Sequence, residues 1–221
     1  MKPESSDLYL SGIYHQQERQ ETVTTSSLAE ELGVSMASVS EMLRKLGERG
    51  LANYEPYQPV TLTEKGRRRA AELVRRHRLW EVFLVKKLGM GWETVYREAC
   101  ALEHATSEAV TEALDEFLDH PLTGIHGYPI PDADGGVPAL PKNVPLTTLE
   151  VRQQGRILQV SERDPALLVY LRQLKLVPGQ VIEVVVKAPF DGPLTVRING
   201  ATHAIAYKVA ACLKVVLQDE R

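Results

Sequence analysis

Apolar positions along this chain change their spacing once, and the change divides it. Up to about residue 118 they recur at three- and four-residue intervals. From residue 146 they alternate or cluster in short blocks between glycines and prolines. The first spacing predicts helices and the second strands. Leu8, Ile13 and Tyr14 are among the apolar positions of a first helix, which Ser6 or Asp7 can cap and which runs to about His15. A second helix covers TTSSLAEELGV, with Thr25 or Ser26 as cap and Gly33 as terminator. A third starts at Ser35 or Met36, turns Val39, Met42, Leu43 and Leu46 to the core, and stops at Gly50. Two short helices around a glycine-containing turn predict a helix-turn-helix. Pro56 and Pro59 then lie between two β-compatible pieces, residues 52–54 and 60–62, which predict a small hairpin, the wing of a winged helix.

A long fourth helix opens at residues 63–66 and breaks at Leu88, Gly89, Met90 and Gly91. Residues 92–106 and 107–118 continue helically. Leu102, Ala105, Ala109, Val110 and Leu114 offer an apolar face there that a lone chain of this size leaves open, so this part predicts a dimerisation unit. Residues 121–145 are rich in proline and glycine and read as a tethered linker. Four β-like runs follow, with a short helical segment at 165–174 and a last helical turn and strand at 209–217. Together they predict a five-stranded β-barrel of the SH3-like kind. The expected fold is mainly α with a β domain. Residues 1–72 form the winged helix, 73–145 the helical dimerisation domain with its linker, and 146–221 the barrel.

Composition is ordinary, with 43% hydrophobic and 25% charged residues. No apolar run approaches the roughly 20 residues that span a bilayer. The N-terminus lacks an apolar signal core, so a cytoplasmic protein without a membrane partner is expected. Two cysteines far apart give no disulfide framework and leave Cys100 free to bind metal. A net charge of −3 argues against nucleic acid, but its distribution argues for it. Residues 44–87 carry 12 Lys and Arg against 5 Asp and Glu, whereas residues 88–150 carry 2 against 11. A basic N-terminal part beside an acidic middle fits a DNA-facing module joined to one that faces elsewhere.

The chemistry gathers in VYREACALEHATSEAV. Cys100, Glu103 and His104 stand at i, i+3 and i+4 and share one helix face. His77 and Glu81 repeat the i, i+4 spacing on the preceding helix. Thiolate, carboxylate and imidazole together suit a divalent transition metal held between two helices. VYREACALEHATSEAV, VRRHRLWEVFL and HGYPIP together resemble the diphtheria toxin repressor family of metal-dependent regulators, across essentially the whole chain. The resemblance implies a homodimeric repressor activated by Mn²⁺ or Fe²⁺, with a C-terminal SH3-like (FeoA-like) domain as in the family's longer members. It matches Cys100, Glu103 and His104 to the activating metal site and His77 and Glu81 to an ancillary one. Two departures stand out. The family has a metal-binding Met or Asp where this chain has Leu8, and usually a His where it has Tyr96. Asp7 is next to Leu8, but one residue turns a helical side chain by about 100°. Asp164 is the best match to a carboxylate from the C-terminal domain, with Leu167 in the place of an amide and Glu162 as a second candidate. His15, His120, His126 and His203 read as surface or loop residues, and Cys212 as core.

The third helix leaves Ser35, Ala37, Ser38 and Glu41 nearest a DNA groove, where small residues allow close approach. Glu41 can alternatively pair along its own helix with the basic residues that follow. Arg44, Arg67 and Arg68 are expected to meet phosphates. Twofold symmetry then implies a palindromic double-stranded operator. Three rival readings remain: a winged-helix regulator with weakened or lost metal control, a module whose barrel docks a peptide or protein, and a metalloenzyme with an open coordination position. The last finds no additional base, nucleophile elbow or phosphate loop, and no enzyme is expected.

Overall fold

The computed structural model describes residues 6–162 and 164–218. Helix α1 (Ser6–Glu18) buries Leu10 and Ile13 completely against α2 (Thr25–Leu32) and α3 (Met36–Glu48). The cap of α2 is Thr24, one residue before the expected position, because its hydroxyl and that of Ser27 close a reciprocal capping box. Gly33, at φ 65°, ends α2 in the left-handed conformation that glycine adopts without strain. Ser35 caps α3 by accepting from the Ser38 amide. The wing is short: β1 (Ala52–Asn53) pairs antiparallel with β2 (Thr61–Leu62).

Helix α4 (Glu64–Lys86) has 23 residues and is capped by Thr63. It is a rod of about 35 Å. Ala70, Ala71, Leu73 and Val74 belong to the N-terminal core, and from Leu79 onward it builds a second core with Leu114 and Ile130. One helix therefore joins the DNA-type module to the next. Helices α5 (Val95–Ala105) and α6 (Glu108–Phe117) pack against its C-terminal half. Ala105, Ala109, Val110 and Phe117 are exposed on them. Leu114, expected on that open face, is buried between α4 and Ile130, so Phe117 takes its place at the surface.

The first part of the 121–145 segment is packed rather than tethered, whereas residues 132–143 are mostly exposed and irregular, as a linker is. His126, Tyr128 and Ile130 are buried. Irregular backbone can be buried only when its polar groups find partners. Here the Ile130 amide donates to the Leu122 carbonyl, and the His126 carbonyl accepts from the Val160 amide. Buried Arg78 on α4 closes the junction, donating to Glu18 of α1 and to the Pro129 carbonyl beneath the Tyr128 ring. Burial alone would raise the Glu18 pKa, but Arg78 and His15 outweigh it and lower it to about 2.

The C-terminal part forms six antiparallel strands in the order β3-β8-β4-β5-β6-β7. They are β3 (Val144–Pro145), β4 (Gln154–Val160), β5 (Val181–Lys187), β6 (Leu194–Ile198), β7 (Ala201–Ile205) and β8 (Leu213–Leu217). The strand beyond the expected five is β3, two residues of the Pro-rich segment paired with β8. Helix α7 (Pro165–Gln173) and the turn α8 (Tyr207–Ala211) interrupt the strands. Trp92, from the helical part, lies in this core.

Candidate metal centre

His77 reaches from α4 toward α5, and α5 answers with Cys100 and Glu103. One donor atom from each lies within 4.8 Å of the other two. His77 Nδ1 is 2.7 Å from a Glu103 oxygen and 3.9 Å from the Cys100 sulfur, while its Nε2 is 3.3 Å from a Glu81 oxygen. His77 thus stands between two carboxylates, both on buried residues. Burial works to lower the His77 pKa. Glu81, with the hydrogen bonds to Cys100 and Glu103, overcomes it and holds the imidazole well above its ordinary value. Burial likewise works to raise the Glu81 pKa, and His77 overcomes it and lowers it. Such a centre is built for positive charge. The donors fit a divalent transition ion, which would be held by thiolate, imidazole and carboxylate together and would take the place of the proton on His77.

The sequence placed a metal between the two helices, and the family resemblance matched His77 to an ancillary site beside that of Cys100, Glu103 and His104. In the structure His77 joins the α5 residues directly. His104 stands at the rim, 39% exposed, with Nε2 3.6 Å from the second Glu103 oxygen. Leu8 of α1 lines the same pocket but offers no donor. Tyr96 lies with its ring 5.0 Å from that of His77; the residue is 58% exposed, and local desolvation of its hydroxyl with the neighbouring Cys100 and Glu103 raises its pKa. Asp7 and Asp164 do not reach the centre. Asp7 pairs with Arg69 at 3.0 Å, as expected from the turn that separates it from Leu8. Asp164 is the N-cap of α7, accepting from the Ala166 amide at 2.8 Å. Glu162 lies instead 3.8 Å from His15. His126, read as a loop residue, is buried beside Trp92, with ring centroids 5.1 Å apart, in the same cleft as Glu81. The motif HGYPIP was the only signal for it.

Residues 3–60 match the family described as "Iron dependent repressor, N-terminal DNA binding domain". Residues 63–132 match "Iron dependent repressor, metal binding and dimerisation domain", and residues 144–217 match the FeoA domain. The iron-dependent repressor IdeR of Mycobacterium leprae is 31% identical over 96% of each chain. The chain belongs to the diphtheria toxin repressor family. The diphtheria toxin repressor of Corynebacterium glutamicum is 27% identical over 96% of each chain. A manganese-dependent transcriptional repressor in complex with manganese has the same architecture, with a TM-score of 0.88 and 38% identity over 96% of this chain and 100% of that one. Members of this family are DNA-binding transcriptional repressors that depend on a divalent metal, not enzymes.

In this repressor the N-terminal half of α3 is open to solvent. Met36, Ala37 and Ser38 are exposed, and Val39 is fully buried. Glu41 pairs with Lys45 at 2.7 Å on the exposed face, where such a pair is readily exchanged for another partner. Arg44 pairs with Glu48 and Arg67 with Glu64. Arg68 has no ion pair among the described residues and lines a cleft with Arg49 and Lys65. No helix among the described residues is long and apolar enough to cross a membrane.

Proposed function

We propose that this repressor is a cytoplasmic, Mn²⁺- or Fe²⁺-responsive homodimer that binds a palindromic operator when its metal centre is loaded. His77 and Glu81 from α4, with Cys100, Glu103 and His104 from α5, would hold the ion. The carrying observation is the approach of His77, Cys100 and Glu103 across the α4–α5 contact. A bound divalent ion supplies the positive charge that the two carboxylates otherwise draw onto His77. Because α4 also carries the core of the winged helix, fixing α4 against α5 fixes the winged helix relative to the dimer. That change is limited to the difference in metal affinity between the two arrangements. The proposed division at residues 72 and 145 falls within α4, which the two helical parts share, and at β3, which already pairs with the C-terminal sheet. Ser35, Ala37, Ser38 and Glu41 would face bases. Arg68, with Arg44 and Arg67 once freed from their glutamates, would face phosphates.

Leu8 favours a second reading, a regulator whose α1 is weakly coupled to metal. Calorimetric titration of the full chain with Mn²⁺ and Fe²⁺, with and without operator, separates the two. Tighter metal binding in the presence of DNA is expected, since coupling is reciprocal. Leu8→Met is then expected to strengthen metal affinity by roughly tenfold, the effect of one added thioether donor. Equal metal affinity with and without DNA would leave the weakly coupled reading. For the phosphate contacts, Arg68→Ala is expected to weaken operator and unrelated duplexes alike and to reduce the slope of log affinity against log salt by about 1. An unchanged slope would put Arg68 away from DNA.

A further inference from the structure

The wing ends in a turn that breaks a local rule. The Gln58 amide donates to the Glu55 carbonyl, closing a four-residue turn over Pro56 and Tyr57. Proline at the second position and positive φ at the third are the marks of a type II turn, whose third position calls for glycine or asparagine. Here it holds Tyr57, at φ 67°. An aromatic side chain in that region is strained. Among the described residues nothing repays the strain, because Tyr57 is 104% exposed.

The base of the wing is anchored to the N-terminal core. Val60 is buried and its amide donates to the Val23 carbonyl, and Tyr54 packs against the N-terminal core. Pro56 and Pro59 flank the tip, each with its φ fixed by the ring. The tip is therefore a preorganised arm that holds one tyrosine into solvent. Strain of this kind, with no internal gain, points to a contact outside the chain.

We propose that Tyr57 is a DNA contact, laying its ring on the sugar-phosphate ridge beside the half-site read by α3 and donating its hydroxyl to a phosphate oxygen. The proposal rests on the repressor reading. A hairpin packed beside a helix that lies in the major groove reaches the neighbouring backbone, and tyrosine hydroxyls are among the usual phosphate donors. The tip itself carries no cation, and its turn begins at exposed Glu55, so the contact comes from the ring and the hydroxyl.

The test uses the full-length metal-loaded protein and two probes: a duplex that the wild type selects from a random pool, and an unrelated duplex of equal length. Tyr57→Gly removes the side chain and relieves the turn. It is expected to melt at the same temperature as wild type or higher, yet to bind both duplexes roughly five- to tenfold more weakly. Tyr57→Phe is expected to fall between the two. Undiminished binding by Tyr57→Gly overturns the proposal, and so does a lower melting temperature, which would make Tyr57 a structural residue. A wild type that selects no duplex with either metal removes the repressor reading and this proposal with it. Wild-type binding with an indifferent Tyr57→Gly removes the proposal alone.

Discussion

Cys100→Ala is expected to weaken Mn²⁺ binding by on the order of a hundredfold, about 3 kcal/mol, with the fold intact. The expectation follows from geometry. The Cys100 sulfur lies 3.9 Å from His77 Nδ1, so the thiol, the imidazole and the Glu103 carboxylate close around one point. Cys100 is only partly buried, and alanine keeps helix propensity at its position, so the melting temperature should change little. His77→Ala is the less clean experiment, since it leaves the buried carboxylates of Glu81 and Glu103 facing a gap without their shared cation. His104→Ala should act in the same direction as Cys100→Ala, because His104 Nε2 already stands 3.6 Å from a Glu103 oxygen at the rim of the centre. Isothermal titration with Mn²⁺ and a thermal melt on the same preparation decide the matter. Unchanged affinity in Cys100→Ala would mean that the ion is held elsewhere.

Much of this was legible in the sequence because short-range rules govern it. The spacing of Val39, Met42, Leu43 and Leu46 predicted the buried face of α3; Val39, Leu43 and Leu46 are fully buried and Met42 packs partly buried at its edge. The spacing of Cys100, Glu103 and His104 placed them on one helix, as found. Long-range geometry was less legible. Periodicity shows which residues share a helix but not which helix faces which. The spacing could say only that a metal would lie between the two helices; the distance of His77 from Glu103 comes from the packing of α4 on α5. The Pro-rich segment misled for a related reason. Proline and glycine mark the absence of regular structure, which usually means exposure. They also allow a chain to pass very close to other backbone, and residues 125–131 do so. His126 was missed with them, since apart from its place in HGYPIP nothing distinguishes a loop histidine from one covered by Trp92.

Gly127→Ala should be among the most destabilising single substitutions, at about 2–4 kcal/mol, because two costs coincide. Gly127 has φ 86°, where any side chain is strained. It is also where the Pro-rich segment crosses β4, and a Cβ there would lie 1.8 Å from the Leu158 carbonyl oxygen and 3.1 Å from the Gln159 Cα. Neither neighbour is a flexible side chain, so segment and strand must separate. The bond between the Val160 amide and the His126 carbonyl is the nearest to break, and it ties the helical part to the sheet. A melting temperature lower by on the order of 10 °C is expected for a chain of this length. Tryptophan emission should shift to the red, since Trp92 packs against His126 in that junction. Gly179→Ala is the control. It has φ 91° with nothing within 4 Å of the added methyl, so it carries the backbone cost alone. If the two variants melt together, the crossing at Gly127 holds nothing. If only Gly127→Ala loses stability and still binds Mn²⁺, the metal centre stands on α4 and α5 without help from the sheet, as the positions of His77, Cys100 and Glu103 require.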